Sequence, residues 1–264
     1  MQLVKPSDTE AHILFIFGCQ RSGTTLLTRI FEGDPTVCCF AEHSRALTRS
    51  DHYVRTRTLS DIEQVFHRCR GSLIVSKPLV ESHRANEFLE YFPNAQVVWA
   101  YRHYREVVRS FVKRFDYAAV NIIRKIVKGT RSWASESISP TSRELALRFY
   151  SPGMSPTDAA ALFWLIRNEL FFEQILEENR RVTSCQYSDL VSRPDETMRR
   201  LYSFLGRPYP GPHLVEGVYR DSKGRGKSLR LDPEIEALCM SMWARLKETG
   251  NFHSAKDMAS IPTV

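Results

Sequence analysis

One stretch of the chain, FGCQRSGTTLL at positions 17–27, constrains the fold more strongly than any other. An apolar run at 13–16 leads into it, and the residues at 24–32 carry apolar side chains at helical spacing. Its glycines follow the phosphate-binding pattern G-x-x-x-x-G-K-S/T, except that Thr24 replaces the lysine. This order of strand, glycine loop and helix predicts a backbone site for an anionic group.

The missing lysine limits what the loop can hold. In nucleoside triphosphatases and kinases that lysine reaches the outer phosphates, and the following hydroxyl binds Mg²⁺. Arg21 is the cation of this loop, and its planar guanidinium suits a contact with two phosphate oxygens. The loop therefore favours a donor with less charge at its reactive end than a triphosphate.

The alternation of strands and helices predicts the fold class. Short apolar runs predict strands at 12–17, 37–40, 72–76, 95–101 and 182–186. Amphipathic or capped segments predict helices at 24–32, 59–69, 80–91, 103–115, 157–179, 194–205 and 232–248. We therefore expect an α/β protein with a three-layer P-loop-type fold, in which helices flank a central, mostly parallel sheet of about five strands.

The length and composition predict a single domain over residues 1–264, with 42% hydrophobic and 25% charged residues. One segment, at about 116–156, interrupts the alternation of strands and helices. It has a basic helical part at 122–128 and then a part rich in Ser, Thr and Pro. We expect this segment to be an insertion that acts as a lid or faces the acceptor, with a solvated surface excursion as the alternative.

The charge and the N-terminal sequence bear on partners and location. A net charge of +7 favours anionic ligands. The first apolar run is broken at Gly18 and is too short for a signal peptide or a membrane span, so we expect a cytoplasmic protein without a membrane partner. The histidines show no metal-ligand spacing, and no metal is predicted.

Several segments carry a resemblance to a known family. RSGTT after a strand resembles the 5′-phosphosulfate loop of sulfotransferases that use 3′-phosphoadenosine 5′-phosphosulfate (PAPS), in particular the tyrosylprotein and related bacterial branch. In that family an arginine at a strand end and a serine eight residues later bind the 3′-phosphate, and Arg102 and Ser110 match this pattern. The segments at 187–206 and 222–230 also resemble family segments, whereas the residues at 103–105 depart from the common sequence.

The resemblance implies a set of residues for the donor nucleotide. The 5′-phosphosulfate would be bound by Arg21, Ser22, Gly23, Thr24 and Thr25. The 3′-phosphate would be bound by Arg102 and Ser110. A glycine-rich loop would close over the nucleotide and contribute Lys223, Gly224, Arg225 and Lys227.

The resemblance also implies catalytic residues. Glu42, in CCFAEHSR, matches the glutamate base of the tyrosylprotein branch, and Lys77, in IVSKPL, matches the lysine placed against the leaving-group oxygen. Together with Arg21 they form the predicted catalytic set. His43 is the rival base, since an unperturbed imidazole titrates near pH ~6.5. Without the resemblance, these positions would be interpreted as solvated loop and strand-end residues.

The predicted function is transfer of a sulfuryl group from PAPS to an acceptor hydroxyl, with 3′-phosphoadenosine 5′-phosphate (PAP) as product. The acceptor would be a small molecule or a peptide with a phenolic or alcoholic hydroxyl, and the basic segment at 113–148 favours an anionic one. One alternative is a divergent P-loop kinase in which Arg21 replaces the lysine. The other is a basic nucleic-acid-binding protein, for which we find no recognised motif and no dense basic tract.

Overall fold

The computed structural model of the chain describes residues 11–49, 55–136, 138–218 and 229–249. Within them the chain forms an α/β fold, a five-stranded parallel sheet covered by helices. None of the described helices is long and apolar enough to cross a bilayer. The fold class predicted from the sequence is confirmed.

The sheet places the ends of its strands along one edge. Its strands are β1 (His12–Gly18), β2 (Val37–Phe40), β3 (Leu73–Ser76), β4 (Ala95–Tyr101) and β5 (Val182–Gln186), in the order β2-β3-β1-β4-β5. Every neighbouring pair is parallel, and Ile13 of the central strand pairs with both Ile74 and Ala95. The carboxyl ends therefore meet at one edge, which is where open α/β sheets bind ligands.

Helices cover both faces of the sheet. They are α1 (Thr24–Glu32), α2 (Leu59–Phe66), α3 (Ala85–Tyr91), α4 (Tyr104–Phe115), α5 (Ala118–Lys128), α6 (Trp133–Glu136), α7 (Pro140–Phe149), α8 (Pro156–Glu173), α9 (Tyr187–Ser192), α10 (Pro194–Phe204) and α11 (Pro233–Thr249). Short 3₁₀ helices lie at Leu79–Arg84, Leu176–Glu178 and Pro212–Val215. Phe15 and Phe17 of β1 belong to one hydrophobic core, and Leu14 and Ile16 belong to the other. This alternation explains why the strand reads as a continuous apolar run.

Helix α8 is buried around most of its circumference, so its apolar pattern gives no clear end. The sequence predicts a helix over 157–179, but the α-helix ends at Glu173 and Ile175 has a φ of 53°. A short 3₁₀ turn, Leu176–Glu178, follows. Burial on all sides removes the polar stripe that would mark where the helix stops.

The segment at 116–156 is more regular than its composition suggests. It contains α5, α6 and α7. Ser139 caps the start of α7, where its hydroxyl accepts a hydrogen bond from the Ser142 amide, and Pro140 is the first residue of the helix. A serine cap and a proline in the first turn are strong start signals for a helix. Ile123 and Ala146 of this segment are fully buried.

Candidate active site

The glycine loop that joins β1 to α1 requires its glycines. Gly18 and Gly23 have φ values of 134° and 89°, which side-chain-bearing residues rarely adopt. A Cβ on Gly18 would lie 2.2 Å from the carbonyl oxygen of Ala100, and one on Gly23 would lie 2.3 Å from Cδ2 of Tyr187. The loop is therefore pressed against β4 and against the residue that follows β5.

The start of α1 suits an anion. Gly23 caps the helix without a side-chain hydrogen bond, and the first turn holds no acidic residue. The Ser22 hydroxyl is buried, at 1% exposure, and has no hydrogen-bond partner in the described part of the chain. Unpaired backbone N–H groups and an unpaired buried hydroxyl together fit a phosphate or sulfuryl oxygen.

Lys77, Thr25 and Glu42 form a first group of side chains beside the loop, on the side of β3 and β2. Lys77 follows β3 and is 5% exposed, and its Nζ donates a hydrogen bond of 3.0 Å to Oγ1 of Thr25. Oε2 of Glu42 lies 4.0 Å from the same Nζ. Burial lowers the pKa of Lys77, and the Glu42 charge opposes this effect. Two of the three predicted catalytic residues, Lys77 and Glu42, thus lie together at the start of α1.

Arg21, Arg102 and Ser110 form a second group, on the side of β4. Nε of Arg21 donates a hydrogen bond of 2.9 Å to Oγ of Ser110, and Nη1 of Arg102 donates one of 3.4 Å to the backbone oxygen of Arg21. Burial, with the charges of Arg102 and Arg114, lowers the pKa of the Arg21 guanidinium. This concentration of positive charge favours a bound anion.

The surroundings of Arg102 include a residue that sequence analysis missed. Its guanidinium lies 3.9 Å from the centroid of the Tyr187 ring, and its Nε donates a 3.0 Å hydrogen bond to Glu106. Nε1 of the buried Trp164 donates to the Arg102 carbonyl oxygen at 3.0 Å. Tyr187 directly follows β5, so its position at a strand end was the signal that could have identified it. Its ring holds Arg102 from one side and packs against Gly23.

The remaining predicted residues have different outcomes. Thr24 is buried in the first turn of α1, and His43 is exposed beside Glu42, so its role as rival base stays a prediction. Four predicted nucleotide contacts lie outside the described residues: Lys223, Gly224, Arg225 and Lys227. Among the residues that the structure describes, no group of three or more His, Cys, Asp or Glu side chains is arranged to hold a metal ion.

Comparison with known proteins gives a family match over more than half of the chain. The family model described as "Sulfotransferase family" matches residues 59–211. This range includes Lys77, Arg102, Ser110 and Tyr187, but it begins after the glycine loop. A search of curated proteins by sequence finds no match.

Solved structures with a similar fold come from several sources. The sulfotransferase domain from the curacin biosynthetic pathway is 16% identical, with a TM-score of 0.56, covering 88% of this chain and 98% of that one. The sulfotransferase domain of the Synechococcus PCC 7002 olefin synthase is 16% identical, with a TM-score of 0.52, covering 92% and 98%. A sulfotransferase from Alicyclobacillus acidocaldarius is 16% identical, with a TM-score of 0.51, covering 92% and 97%. At this identity the likeness shows a shared fold.

Proposed function

The chain belongs to the sulfotransferase family, and we propose that it transfers a sulfuryl group from PAPS to an acceptor hydroxyl and leaves PAP as product. The observation that carries this proposal is the division of the predicted residues into two groups on opposite sides of the glycine loop. Lys77 and Glu42 follow β3 and β2, whereas Arg102 follows β4, and β1 with its loop lies between them. PAPS has two anionic ends, and each group suits one of them.

We assign the 3′-phosphate to the group around Arg102. The Arg102 guanidinium and the Ser110 hydroxyl provide donors for its oxygens, and Tyr187 holds the guanidinium in place by stacking. The hydrogen bond from Arg21 to Ser110 orients the Arg21 side chain toward the same phosphate. We therefore add the 3′-phosphate to the contacts of Arg21, which the resemblance placed at the 5′-phosphosulfate.

We assign the 5′-phosphosulfate to the loop backbone and to the group around Lys77. The amides at the start of α1 and the buried Ser22 hydroxyl would donate to its oxygens. Thr25 holds the Lys77 ammonium at the same helix end. These donors are fixed before the substrate arrives, so they can stabilise charge that develops on the donor oxygens.

The transfer step then divides between Glu42 and Lys77. Glu42 takes the proton from the acceptor hydroxyl while that oxygen forms a bond to the sulfur. The bond from the sulfur to the 5′-phosphate oxygen breaks, and its electron pair stays on that oxygen, which receives a hydrogen bond from Lys77. Positioning and electrostatic stabilisation supply most of the rate enhancement in such a step.

We place the acceptor against the segment at 116–156. The Trp133 ring of α6 lies over the guanidinium of Arg167, 5.7 Å from Cζ, and the charge of Arg167 acts on Glu42. This contact brings the segment to the side of the site where the base lies. Its basic composition favours an anionic small molecule or peptide with a phenolic or alcoholic hydroxyl.

Calorimetry tests the donor before any acceptor is known. We expect the wild-type chain to bind PAP without Mg²⁺ and to bind ATP with Mg²⁺ much more weakly. The variant Arg102→Met should lose PAP affinity, whereas Arg199→Met, on the exposed face of α10, should retain it. Binding of ATP with Mg²⁺ in preference to PAP would refute the proposal and favour the kinase. A screen of phenols, sugars and acidic tyrosine peptides with ³⁵S-labelled PAPS then identifies the acceptor class.

A further inference from the structure

A buried arginine connects the two chain segments that carry the candidate site. Arg167 lies on α8 and is 2% exposed. Its Nη2 donates hydrogen bonds to the carbonyl oxygens of Leu79, at 2.7 Å, and of Gly18, at 3.4 Å. Gly18 is the last residue of β1, where the glycine loop begins, and Leu79 lies two residues after Lys77. One nitrogen atom therefore joins the loop to the Lys77 segment.

A buried serine reinforces the same connection. The Ser82 hydroxyl is fully buried and accepts a hydrogen bond from the Gly18 amide at 3.2 Å. It is also within donating distance of the carbonyl oxygens of Leu79, at 2.7 Å, and Gly18, at 3.3 Å. Arg167 and Ser82 thus contact the same two backbone positions. Such a network fixes the relative positions of the two segments more firmly than either contact alone.

The charge of Arg167 is not neutralised by direct contact. Within the part of the chain that the structure describes, its buried Nε and Nη1 have no hydrogen-bond partner, and its guanidinium forms no ion pair. The titratable groups that interact with it are Cys19, Glu42, Glu81 and His83.

The buried guanidinium nevertheless keeps its charge at neutral pH. Burial lowers the pKa of Arg167 to about 10. Burial and the nearby arginines lower the pKa of His83 to about 4, so His83 is neutral. Because water does not reach the free nitrogens of Arg167, its charge acts on the nearby carboxylates with little screening.

We propose that Arg167 is a positioning residue for the transfer reaction: it holds the glycine loop against the Lys77 segment, so that both contribute to one site for the 5′-phosphosulfate. The inference rests on the proposed function, because it treats the loop and Lys77 as parts of the same donor site. The contacts that carry it are the hydrogen bonds from Nη2 of Arg167 to the carbonyl oxygens of Gly18 and Leu79.

Four variants test the connection between the glycine loop and the Lys77 segment. Arg167→Met removes the hydrogen bonds of Arg167, Arg167→Lys keeps a charged donor nitrogen, and Ser82→Ala removes the second set of contacts to the same two backbone positions. Asn168→Ala is the structural control, since Asn168 is the next residue of α8 and is fully buried, but its described hydrogen bonds join it to Trp99 and Trp164. Two measurements apply to all four: hydrogen exchange of the loop amides without nucleotide, and calorimetry of PAP binding.

Each variant has its own expected pattern. In Arg167→Met the loop amides should exchange faster by about tenfold or more, because hydrogen bonds from a charged group are lost, and PAP affinity should fall. Arg167→Lys, which keeps a donor nitrogen, should restore part of both. Ser82→Ala should also speed loop exchange, because it removes the parallel contacts to Gly18 and Leu79. Asn168→Ala should change neither.

Two outcomes would overturn the inference. One is unchanged exchange of the loop amides in Arg167→Met, or in Arg167→Gln if the methionine variant does not fold. The other is an equal increase in exchange in Asn168→Ala, which would indicate general loss of packing. Failure of the proposed function has a different signature, namely absence of PAP binding to the wild-type chain, and calorimetry measures it separately.

Discussion

Arg21 donates a hydrogen bond of 2.9 Å from its Nε to Oγ of Ser110, which lies 89 residues later in the chain. Arg21 is held with a φ of 70°, in the left-handed region that non-glycine residues rarely adopt. The glycine loop and helix α4 are thereby linked through side chains that both suit a phosphate. Backbone strain of this kind concentrates at ligand sites, where the surrounding structure maintains it.

This arrangement predicts discrimination between nucleotides that differ in the 3′-phosphate. Arg102→Met should weaken PAP binding by about 10- to 100-fold, because a lost hydrogen bond to a charged group costs about 1.5–3 kcal/mol. Binding of adenosine 5′-phosphate, which lacks the 3′-phosphate, should change little. Titration calorimetry with both nucleotides measures the difference. An equal loss for both would show that Arg102 supports the fold and does not bind this phosphate.

The base assignment predicts a separation between binding and turnover. Glu42→Gln should lower the rate of sulfuryl transfer by about 10²- to 10⁴-fold, the usual contribution of general base catalysis. PAP affinity should stay near that of the wild type, because Glu42 lies on the β2 side of the loop, away from Arg102. His43→Gln is the matched variant and should retain activity. If His43→Gln lost turnover and Glu42→Gln kept it, His43 would be the base.

The parts of the fold that the sequence predicts are those specified by local signals. The bounds of α1, Thr24–Glu32, and of β4, Ala95–Tyr101, agree with the predicted ones. In α1 a glycine precedes the helix and another follows it. In β4 the residues from Val97 to Tyr101 form an unbroken apolar run, which Arg102 ends. Neighbouring residues alone specify these elements.

The parts that the sequence does not predict depend on contacts between distant residues. Arg167 lies in the apolar sequence ALFWLIRNELFF, and nothing nearby in the chain indicates that it reaches Gly18 and Leu79. Tyr187 begins the six-residue helix α9, too short to give a periodic signal. Its stacking on Arg102 arises because β4 and β5 are neighbours in the sheet. The side chains proposed to bind the nucleotide are predicted from the sequence one by one. Arg167 and Tyr187, which hold parts of that site in place, are not.

The buried state of Lys77 predicts the pH dependence of turnover. Because burial lowers the pKa of this lysine, it loses its proton at a lower pH than an exposed lysine does. A neutral amine is a weaker donor to the leaving oxygen, so turnover should fall as the pH rises through that lowered pKa. Lys77→Arg should move this alkaline limb to higher pH, because a guanidinium stays charged.

The rate of transfer at saturating PAPS, measured from about pH 6 to about pH 11, tests this dependence. That pH range includes the ordinary pKa of an exposed lysine. Lys247→Arg, near the end of α11, is the control and should leave the profile unchanged. Identical alkaline limbs in the wild type and in Lys77→Arg would show that another group titrates there.

The contact between Gly23 and Tyr187 predicts that Gly23→Ala lowers the stability of the fold. Replacing the Tyr187 ring by a smaller side chain should restore only part of that loss. In Gly23→Ala the new methyl group would lie 2.3 Å from Cδ2 of Tyr187, on a backbone with a φ of 89°. We expect the free energy of unfolding to fall by about 1–3 kcal/mol from backbone strain alone, with a further loss from the displaced ring. Chemical denaturation measures this change. PAP affinity should also fall, because Tyr187 holds Arg102.

The double variant Gly23→Ala with Tyr187→Ala separates the two causes. It removes the collision but keeps the unfavourable φ, so it should be less stable than Tyr187→Ala by the strain contribution only. Gly153→Ala is the matched control, since no atom lies within 4 Å of a Cβ at that position, and it should leave both stability and PAP affinity near the wild-type values. If Gly23→Ala behaved like Gly153→Ala, the close packing of the loop against Tyr187 would not be what positions Arg102.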